Sequence, residues 1–454
     1  MSTSTSPLSS ISSSVSATEN GTGTFNAQAY VQSILQSEEG PEELMQQQVA
    51  TLSNQATDLG TISTQLGSLQ TAVLALNDFN GALDANQASS SDSSVATATA
   101  DSTAGVGSHT LTVSNLASTS SQYSTTYASG DAAIPTGSFD IQVGSGTPTA
   151  ITVDSSDDTL NGLASAINSA SAGVTASVIT DASGARLSLE SGTSGAPGEI
   201  TISNDTLSGF NFTQAVAGEN ASFTLDGIAL TSTSNTVTGV LQGVTLDLQG
   251  ASSGAGATIS ISPDTTQATT AIQNFVTAYN TVMQTLNGEF SYNASTQSLG
   301  PLGSDQTVMQ VQQSLLSDAS FSLSGNSGLT NLAAIGISMN QDGTLSISSS
   351  TLQAAMASNY SAVQNLFQQA SPAGFAQSFN NDLMNITDPG TGPIALDQQG
   401  VQQETTSLNQ QITEFQNNLN QQETQLMQTY AQVAATLQDM PTLLSQTQSE
   451  LSNL

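Results

Sequence analysis

Apolar residues recur every three or four positions near both ends of this chain, which is the spacing of an amphipathic helix. A row of this kind needs a partner helix to cover its apolar stripe. We therefore predict a paired helix over 42–86, about 67 Å long at about 1.5 Å per residue. Its row steps by 4, 3, 4 and 3, makes one shorter step at Ile62 and then resumes, and comprises Met45, Val49, Leu52, Ala56, Leu59, Ile62, Leu66, Leu69, Val73 and Leu76.

The C-terminal region carries a second row of the same spacing. Because the two rows lie at opposite ends, we predict that the termini pair into a coiled-coil stem and that the chain between them is an insertion. Part of each row should be intramolecular core, and part should make contacts only on assembly. Pro441 lacks an amide N–H, so we expect one helix to end there and the next to begin. The row comprises Val401, Leu408, Ile412, Phe415, Leu419, Leu426, Val433, Leu437, Met440, Leu444 and Leu451, with Thr405, Gln422 and Thr429 as polar members.

Between the rows, residues 88–263 change to a two-residue period. Segments such as HTLTVSNL and GVTLDLQG alternate apolar and polar residues between Gly, Asp, Asn and Pro, which predicts short antiparallel strands. One helix, DDTLNGLASAINSASAG, interrupts them, with an acidic N-cap and Gly173 as its stop. The predicted fold class is α+β multidomain, with a helical coiled-coil stem formed by both termini and an inserted antiparallel β-rich head.

Charge limits the partners of this protein. The chain has 35 acidic residues and a single Lys or Arg, Arg186, which gives a formal net charge of −34. Such a chain cannot neutralise phosphates, so we expect no binding to nucleic acid or to anionic membrane surfaces. No stretch sustains about 18 apolar residues, so we expect no membrane insertion. It has no Cys and one His, His109, which removes the usual catalytic and metal-binding constellations. We expect no enzyme activity, no cofactor and no metal.

The first residues, MSTSTSPLSSISSSVSATENG, lack the basic and apolar regions of a secretory signal peptide. The abundance of Ser, Thr, Gln, Asn, Ala and Gly is nevertheless typical of extracellular proteins. We expect export by a dedicated route without a cleaved signal peptide.

Several segments resemble the flagellar hook-associated protein 2 family, the filament capping proteins. IGISMNQDGTLSISSSTLQAAMASNYSAVQNLF resembles the family's strand, Asp-Gly turn, strand and helix, and FTLDGIALTSTSNTVTGVLQGVTLDLQG resembles its Ser-Asn strand pair. GSHTLTVSNLAS is similar to its first head strand, and TLNGLASAINSASAGVTASVITDASGARLSLESGTSG is similar to a repeat of flagellin and hook proteins. The matches follow the family's order, but the leg helices lack the family's usual Lys and Arg residues.

The resemblance implies a structural cap at the distal tip of the bacterial flagellar filament. Such a cap retains exported flagellin and promotes its polymerisation. The implied partners are further copies of the chain (a homo-oligomer), flagellin, the hook–filament junction proteins and an export chaperone. The implied location is extracellular, at the filament tip, after passage through the flagellar secretion apparatus. A secondary role in adhesion is also compatible with the resemblance.

The same resemblance divides the chain into seven segments. They are a flexible export segment at 1–25, N-terminal leg helices at 26–87, a first head part at 88–121, an inserted outer head domain with the flagellin-type repeat at 122–221, a second head part at 222–263, a helical stem domain with a hairpin at 264–400, and C-terminal leg helices at 401–454. We assign coiled-coil and assembly contacts of the stem to Leu52, Leu59, Leu66, Leu69, Val73, Leu76, Leu408, Ile412, Phe415, Leu419, Leu426, Leu437 and Leu444, with Leu408–Leu419 facing Leu66–Leu76.

Four other features have simple structural interpretations. His109 should be a half-buried strand residue, and Arg186 should pair with an acid on the surface. Asp157-Asp158 should cap a helix rather than form a glycosidase pair, and Asp342-Gly343 should be a hairpin turn rather than a calcium loop. Two alternative functions remain at this point: a secreted adhesin or fibre, and a carbohydrate-active enzyme.

Overall fold

The computed structural model describes residues 27–295 and 297–452. The predicted export segment 1–25 lies outside these residues. Within them the chain forms two compact units, an α unit from residues 27–77 with 272–452 and a β unit from residues 78–271. The apolar cores of the β unit lie entirely within its own residues. The predicted α+β class, with helices from both chain ends and an inserted β-rich region, is confirmed. The division into seven segments stays a prediction.

The helices and strands follow the two periods of the sequence. The helices are α1 (Ala27–Glu38), α2 (Gly40–Asn77), α3 (Leu160–Ala170), α4 (Thr265–Phe290), α5 (Gln306–Ala319), α6 (Ser349–Gln368), α7 (Phe375–Thr387) and α8 (Pro393–Ser452). The strands are β1 (Asn86–Ser90), β2 (Ala96–Ala100), β3 (Gly107–Asn115), β4 (Thr119–Ser124), β5 (Gly137–Val143), β6 (Thr149–Val153), β7 (Val174–Asp181), β8 (Gly184–Ser194), β9 (Ile200–Ser203), β10 (Phe212–Val216), β11 (Ala221–Leu225), β12 (Ile228–Ser232), β13 (Thr236–Leu241), β14 (Val244–Leu248), β15 (Ala257–Pro263), β16 (Ile337–Met339) and β17 (Leu345–Ile347).

The β unit contains two apolar cores. A five-stranded sheet in the order β1-β15-β3-β11-β12 and a three-stranded sheet in the order β13-β14-β2 supply the first core, which includes Leu111, Phe223 and Leu246. A four-stranded sheet in the order β10-β4-β8-β7, a three-stranded sheet in the order β6-β5-β9 and helix α3 supply the second, which includes Phe139 and Phe210. The strand pairs of these sheets are antiparallel, as the alternating pattern predicts.

The N-cap of helix α3 differs from the predicted acidic residues. Thr159, not Asp157 or Asp158, is the N-cap, because its hydroxyl accepts a hydrogen bond of 3.0 Å from the amide of Gly162. Asp157 instead accepts a bond of 2.8 Å from the amide of Asp154 in the preceding turn. Asp157, Asp158 and Thr159 are all residue types that cap helices, so the sequence alone does not decide which of them is the N-cap.

Aromatic rings fill the core of the α unit. Phe375 lies edge-on to Phe275, Phe367 and Phe379, with ring centroids 5.2, 5.7 and 5.4 Å apart. Tyr279 is fully buried beside them, 6.3 Å from Phe379 between ring centroids. Edge-to-face pairs of this kind add about 0.5–1.5 kcal/mol each beyond the area they bury. These rings make the centre of the α-unit core apolar.

The Asp342-Gly343 hairpin is confirmed. It joins β16 to β17, and the amide of Asn340 donates to the carbonyl of Thr344 at 2.7 Å. Gly343 has φ +80°, a conformation that favours glycine. The Asp342 carboxylate accepts bonds from the hydroxyl and amide of Thr344, and these bonds lower the pKa of Asp342.

Two helix boundaries differ from the prediction. Helix α2 ends at Asn77 rather than at residue 86, because the Asp78 side chain accepts a 2.9 Å bond from the amide of Asn80 and turns the chain. Helix α8, in contrast, continues through Pro441 to Ser452 without a break. The surface around Pro441 is exposed, so water can solvate the carbonyl that proline leaves without an amide donor.

The two cores of the β unit lead to a test of its independence. We expect a fragment of residues 78–271 to fold alone, because its sheets and cores are complete within that range. Its circular dichroism spectrum should be strand-dominated, and its thermal unfolding should be cooperative. A fragment that begins at residue 92 and so lacks β1 is the control, and it should be less stable. A featureless spectrum from 78–271 would contradict the independence of this unit.

Candidate assembly surface

The apolar row of α2 is core along most of its length. Leu59, Leu66 and Leu69 are fully buried, and from Leu52 onward every row member except the exposed Ala56 is buried. Burial of a leucine-sized side chain stabilises the fold by about 1.5–3 kcal/mol. The buried members are Leu52, Leu59, Ile62, Leu66, Leu69, Val73 and Leu76.

The row of α8 changes from buried to exposed toward the C-terminus. Leu408 is buried, with 9% of its surface exposed. The next four predicted residues, Ile412, Phe415, Leu419 and Leu426, are half-buried. Leu437 and Leu444 are 43% and 61% exposed. The predicted row therefore divides into an intramolecular part and an exposed part.

Side-chain contacts fix the register in which α1 and α2 meet α8. The Gln416 amide donates to the Glu42 carboxylate at 2.6 Å, and the ring of Tyr430 lies edge-on to that of Tyr30 at 4.9 Å between centroids. As residue numbers increase along α8, the numbers of the residues that it contacts on α1 and α2 decrease, so α8 runs antiparallel to both helices. The sequence pattern did not single out the two tyrosines.

This register corrects the predicted facing pairs. Leu408–Leu419 do not face Leu66–Leu76, because Gln416 lies beside Glu42, far from that part of α2. Leu66 instead lines a groove with Ile394, at the start of α8, and Thr387, at the end of α7. Helix α7 packs against α2, and so occupies the surface that the prediction gave to Leu408–Leu419.

Glutamine amides supply the donors where many helical pairs use lysine or arginine. Gln422 donates to the Glu38 carboxylate at 3.2 Å, as Gln416 does to Glu42. Gln55 on α2 donates to the carbonyl of Pro301 at 2.9 Å. An amide donor satisfies a carboxylate without cancelling its charge. The contacts between these helices therefore remain acidic.

The exposed part of the row forms one apolar stripe, which we call the α8 stripe. Its members are spaced by 4, 3, 4 and 7 residues, so they lie on one face of the helix. Contiguous exposed apolar patches on a soluble protein mark interaction sites. The α8 stripe consists of Val433, Leu437, Met440, Leu444 and Leu451.

The single His and the single Arg both have structural partners in the β unit. His109 is half-buried, and its Nδ1 lies 2.8 Å from Asp226, whose pKa this hydrogen bond lowers. Arg186 donates to the Thr126 hydroxyl at 2.8 Å and lies 4.0 Å from the Asp181 carboxylate. Both predictions of a structural role for these residues are confirmed.

The described residues contain neither a cluster of metal-ligating side chains nor a helix that could span a membrane. No group of three or more His, Cys, Asp or Glu side chains in residues 27–295 and 297–452 is placed to hold a metal ion. No helix in that part of the chain is long and apolar enough to cross a membrane.

Three family models match this sequence, and all describe proteins of the bacterial flagellum. The N-terminal model of flagellar hook-associated protein 2 matches residues 23–120, and its C-terminal model matches residues 218–442. The flagellin hook IN motif matches residues 138–193, where the repeat was predicted. The matches thus occupy both ends of the chain and the inserted repeat.

Curated relatives and solved structures agree with these models. The B-type flagellar hook-associated protein 2 of Pseudomonas aeruginosa is 30% identical over 435 residues, 88% of each chain. The flagellar hook-associated protein 2 of Escherichia coli K12 is 30% identical over 69% of this chain and 73% of its own. The crystal structure of domains D1–D3 of the flagellar cap protein FliD from Escherichia coli superposes with a TM-score of 0.58 at 28% identity, over 76% of this chain and 99% of that one. The chain belongs to the flagellar hook-associated protein 2 family, as the sequence resemblance predicted.

Burial along the two rows predicts which leucines stabilise the monomer. Leu59→Ala should lower the free energy of unfolding by about 3 kcal/mol, since it leaves a cavity at a fully buried position. Leu444→Ala is the matched control on the α8 stripe and should change stability by less than about 0.5 kcal/mol. Denaturant unfolding, followed by the helical circular dichroism signal, measures the change in stability of both variants. Equal losses at the two positions would contradict the division of the rows.

Proposed function

We propose that this chain is a structural cap at the distal tip of the bacterial flagellar filament. In this proposal it retains flagellin subunits that emerge at the tip and promotes their polymerisation, so that the filament elongates. Its membership of the flagellar hook-associated protein 2 family supports the cap over a secreted adhesin or fibre. The FliD protein of Escherichia coli, with which it superposes, is itself a flagellar cap protein.

The observation that carries the assembly role is the contrast between the two rows. The α2 row is buried within the α unit, whereas the α8 stripe is apolar and exposed. An apolar stripe on an otherwise polar helix stabilises contacts with another surface by removing apolar area from water. We therefore assign the α8 stripe, including Leu437 and Leu444, to contacts made on assembly, and Leu52 through Leu76 to the core that positions them.

The proposed partners follow from this role. We propose that the chain forms a homo-oligomer, contacts flagellin at the filament end, and meets an export chaperone and the hook–filament junction proteins during assembly. Its working place is then extracellular, at the filament tip, after export through the flagellar secretion apparatus. The proposed function requires binding and positioning of subunits and no covalent chemistry.

The α8 stripe provides the test. In cells that lack the native gene, the double variant Leu437→Ser, Leu444→Ser should be made and exported, yet filaments should be short and flagellin should accumulate as monomer in the medium. Both side chains are exposed, so the variant should unfold at the same denaturant concentration as the wild type. Electron microscopy of filaments and immunoblots of secreted flagellin are the measurements.

Leu396→Ser is the matched control for this experiment. Leu396 lies on the same helix, is also exposed, and lies outside the α8 stripe. Cells that carry it should make filaments of normal length. Normal filaments from the exported Leu437→Ser, Leu444→Ser variant would contradict the assembly role of the stripe.

A further inference from the structure

At each end of helix α5, an Asp side chain is paired with an Asp side chain of another helix. At its start, Asp305 Oδ1 accepts bonds from the amides of Thr307 and Val308 at 2.8 and 3.1 Å, and the Asp305 side chain is also hydrogen-bonded to Asp397 on α8. Near its end, Asp318 is hydrogen-bonded to Asp382 on α7. The two acid pairs thus join one helix to two different neighbours.

Neither pair can be made of two carboxylates. Oδ2 of Asp397 and Oδ2 of Asp318 are buried, and among the described residues neither oxygen accepts a bond from a backbone amide, a side-chain amide or a hydroxyl. Carboxylates carry no hydrogen, so a bond between two carboxyl groups requires that one of them be protonated. Each pair therefore holds together only while it shares a proton.

The sequence around these pairs offers no basic side chain to neutralise them. Arg186 and His109 both lie in residues 78–271, and residues 1–77 and 272–454 contain no Lys, Arg or His. In many proteins a neighbouring arginine or lysine stabilises both carboxylates of such a pair in their charged form. In the α unit a shared proton neutralises one of the two carboxylates instead.

The groups that face the pairs favour the neutral form as well. Tyr279 on α4 lies close to Asp318: its hydroxyl donates to the Leu315 carbonyl on α5 at 3.4 Å, and burial and the charge of Asp318 raise its pKa. Tyr279 thus adds apolar surface and no positive charge beside Asp318. At the other pair, the amides of Thr307 and Val308 keep Asp305 an acceptor, so the shared proton belongs to Asp397.

The direction of the pH effect follows from burial. Burial, together with the partner carboxyl, raises the pKa of Asp318 to about 8 and that of Asp397 to about 6, from an ordinary value of 3.8. A group whose pKa is higher in the folded state stabilises the fold below its unfolded pKa, and this contribution is lost as pH rises through the folded pKa. The window therefore extends from about pH 4 to about pH 8.

We propose that the Asp305–Asp397 and Asp318–Asp382 pairs form a pH-sensitive fastening, in which shared protons hold α5 against α8 and α7 at mildly acidic pH and release it as the solution becomes alkaline. The contribution of these pairs to stability is largest below about pH 4 and declines as the pH rises toward about 8. Above neutrality, α5 loses these two attachments. It keeps its apolar face, which includes Val308, Val311 and Leu315, and its neutral bonds to α4, such as the bond of 2.8 Å that Gln312 donates to Asn287.

Asparagine variants of the full-length chain test the fastening. Asp318→Asn and Asp397→Asn each supply a permanent neutral N–H donor, so at pH 8.5 each should raise the thermal midpoint of the helical signal by about 2 °C or more. At pH 5.0 the gain should be clearly smaller, because the folded wild-type pairs are then mostly protonated and only the unfolded chain has lost these protons. Asp439→Asn on the exposed part of α8 removes the same charge and is the control. Gains equal to the control at both pH values would overturn the proposal.

Hydrogen exchange of the wild-type protein gives a second test that needs no variant. After correction for the intrinsic rate, the amides of α5 should exchange at least about tenfold faster at pH 8.5 than at pH 5.5, whereas the amides of α2 near Leu59 should change little. Equal protection of α5 at both pH values would overturn the proposal, whether or not the asparagine variants fold. Stabilisation by calcium chloride at pH 8.5 that EDTA reverses would also overturn it, since a cation and not a proton would then join the pairs.

Discussion

The packing of α1 and α2 against α8 has to stabilise the α unit without attraction between opposite charges. The chain has one Arg, it lies in the β unit, and the formal net charge is −34. Buried leucines such as Leu59 and Leu66, and the edge-to-face cluster around Phe375, supply the attraction that remains. The hydrophobic effect is insensitive to the sign of nearby charges, so it can hold two acidic helices together. The α8 stripe extends the same apolar row onto an exposed part of the helix.

The carboxyl groups of the α unit fall into two sets with opposite pH responses. Asp342 accepts hydrogen bonds from the hydroxyl and the amide of Thr344, and Asp388 accepts them from the amides of Thr391 and Gly390. These bonds lower both pKa values, so the contribution of these groups to stability is lost as the solution becomes acidic. Asp318 and Asp397 are buried beside a second acid, so their contribution is lost as pH rises. Backbone amides and shared protons thus replace the basic side chains that the sequence lacks. The most stable pH lies between the two sets.

Sequence periodicity predicted the elements of this fold but not how they meet. The α2 row, the alternating strands and the Asp342 turn depend on residues that are close in the sequence, so the sequence pattern predicts them. The register of α8 depends on α7, which covers the surface around Leu66 and shifts Leu408 away from it. The continuous helix through Pro441 depends on solvent exposure, which a local pattern does not report. The acid pairs of α5 could not be predicted either, because Asp318 and Asp382 lie far apart in the sequence and only the fold brings them together.

Apolar packing stabilises this structure against repulsion between its own negative charges. The dependence of its stability on salt concentration tests this most directly. Salt screens repulsion between like charges, with a Debye length of about 30 Å at 10 mM ionic strength and about 8 Å at 150 mM. The measurement is the free energy of unfolding at pH 7.5 in 10–200 mM sodium chloride, by denaturation with uncharged urea. The account predicts a stability that rises steadily with salt over this range. A stability that falls with salt would mean that attraction between charges holds the fold, and would contradict the account.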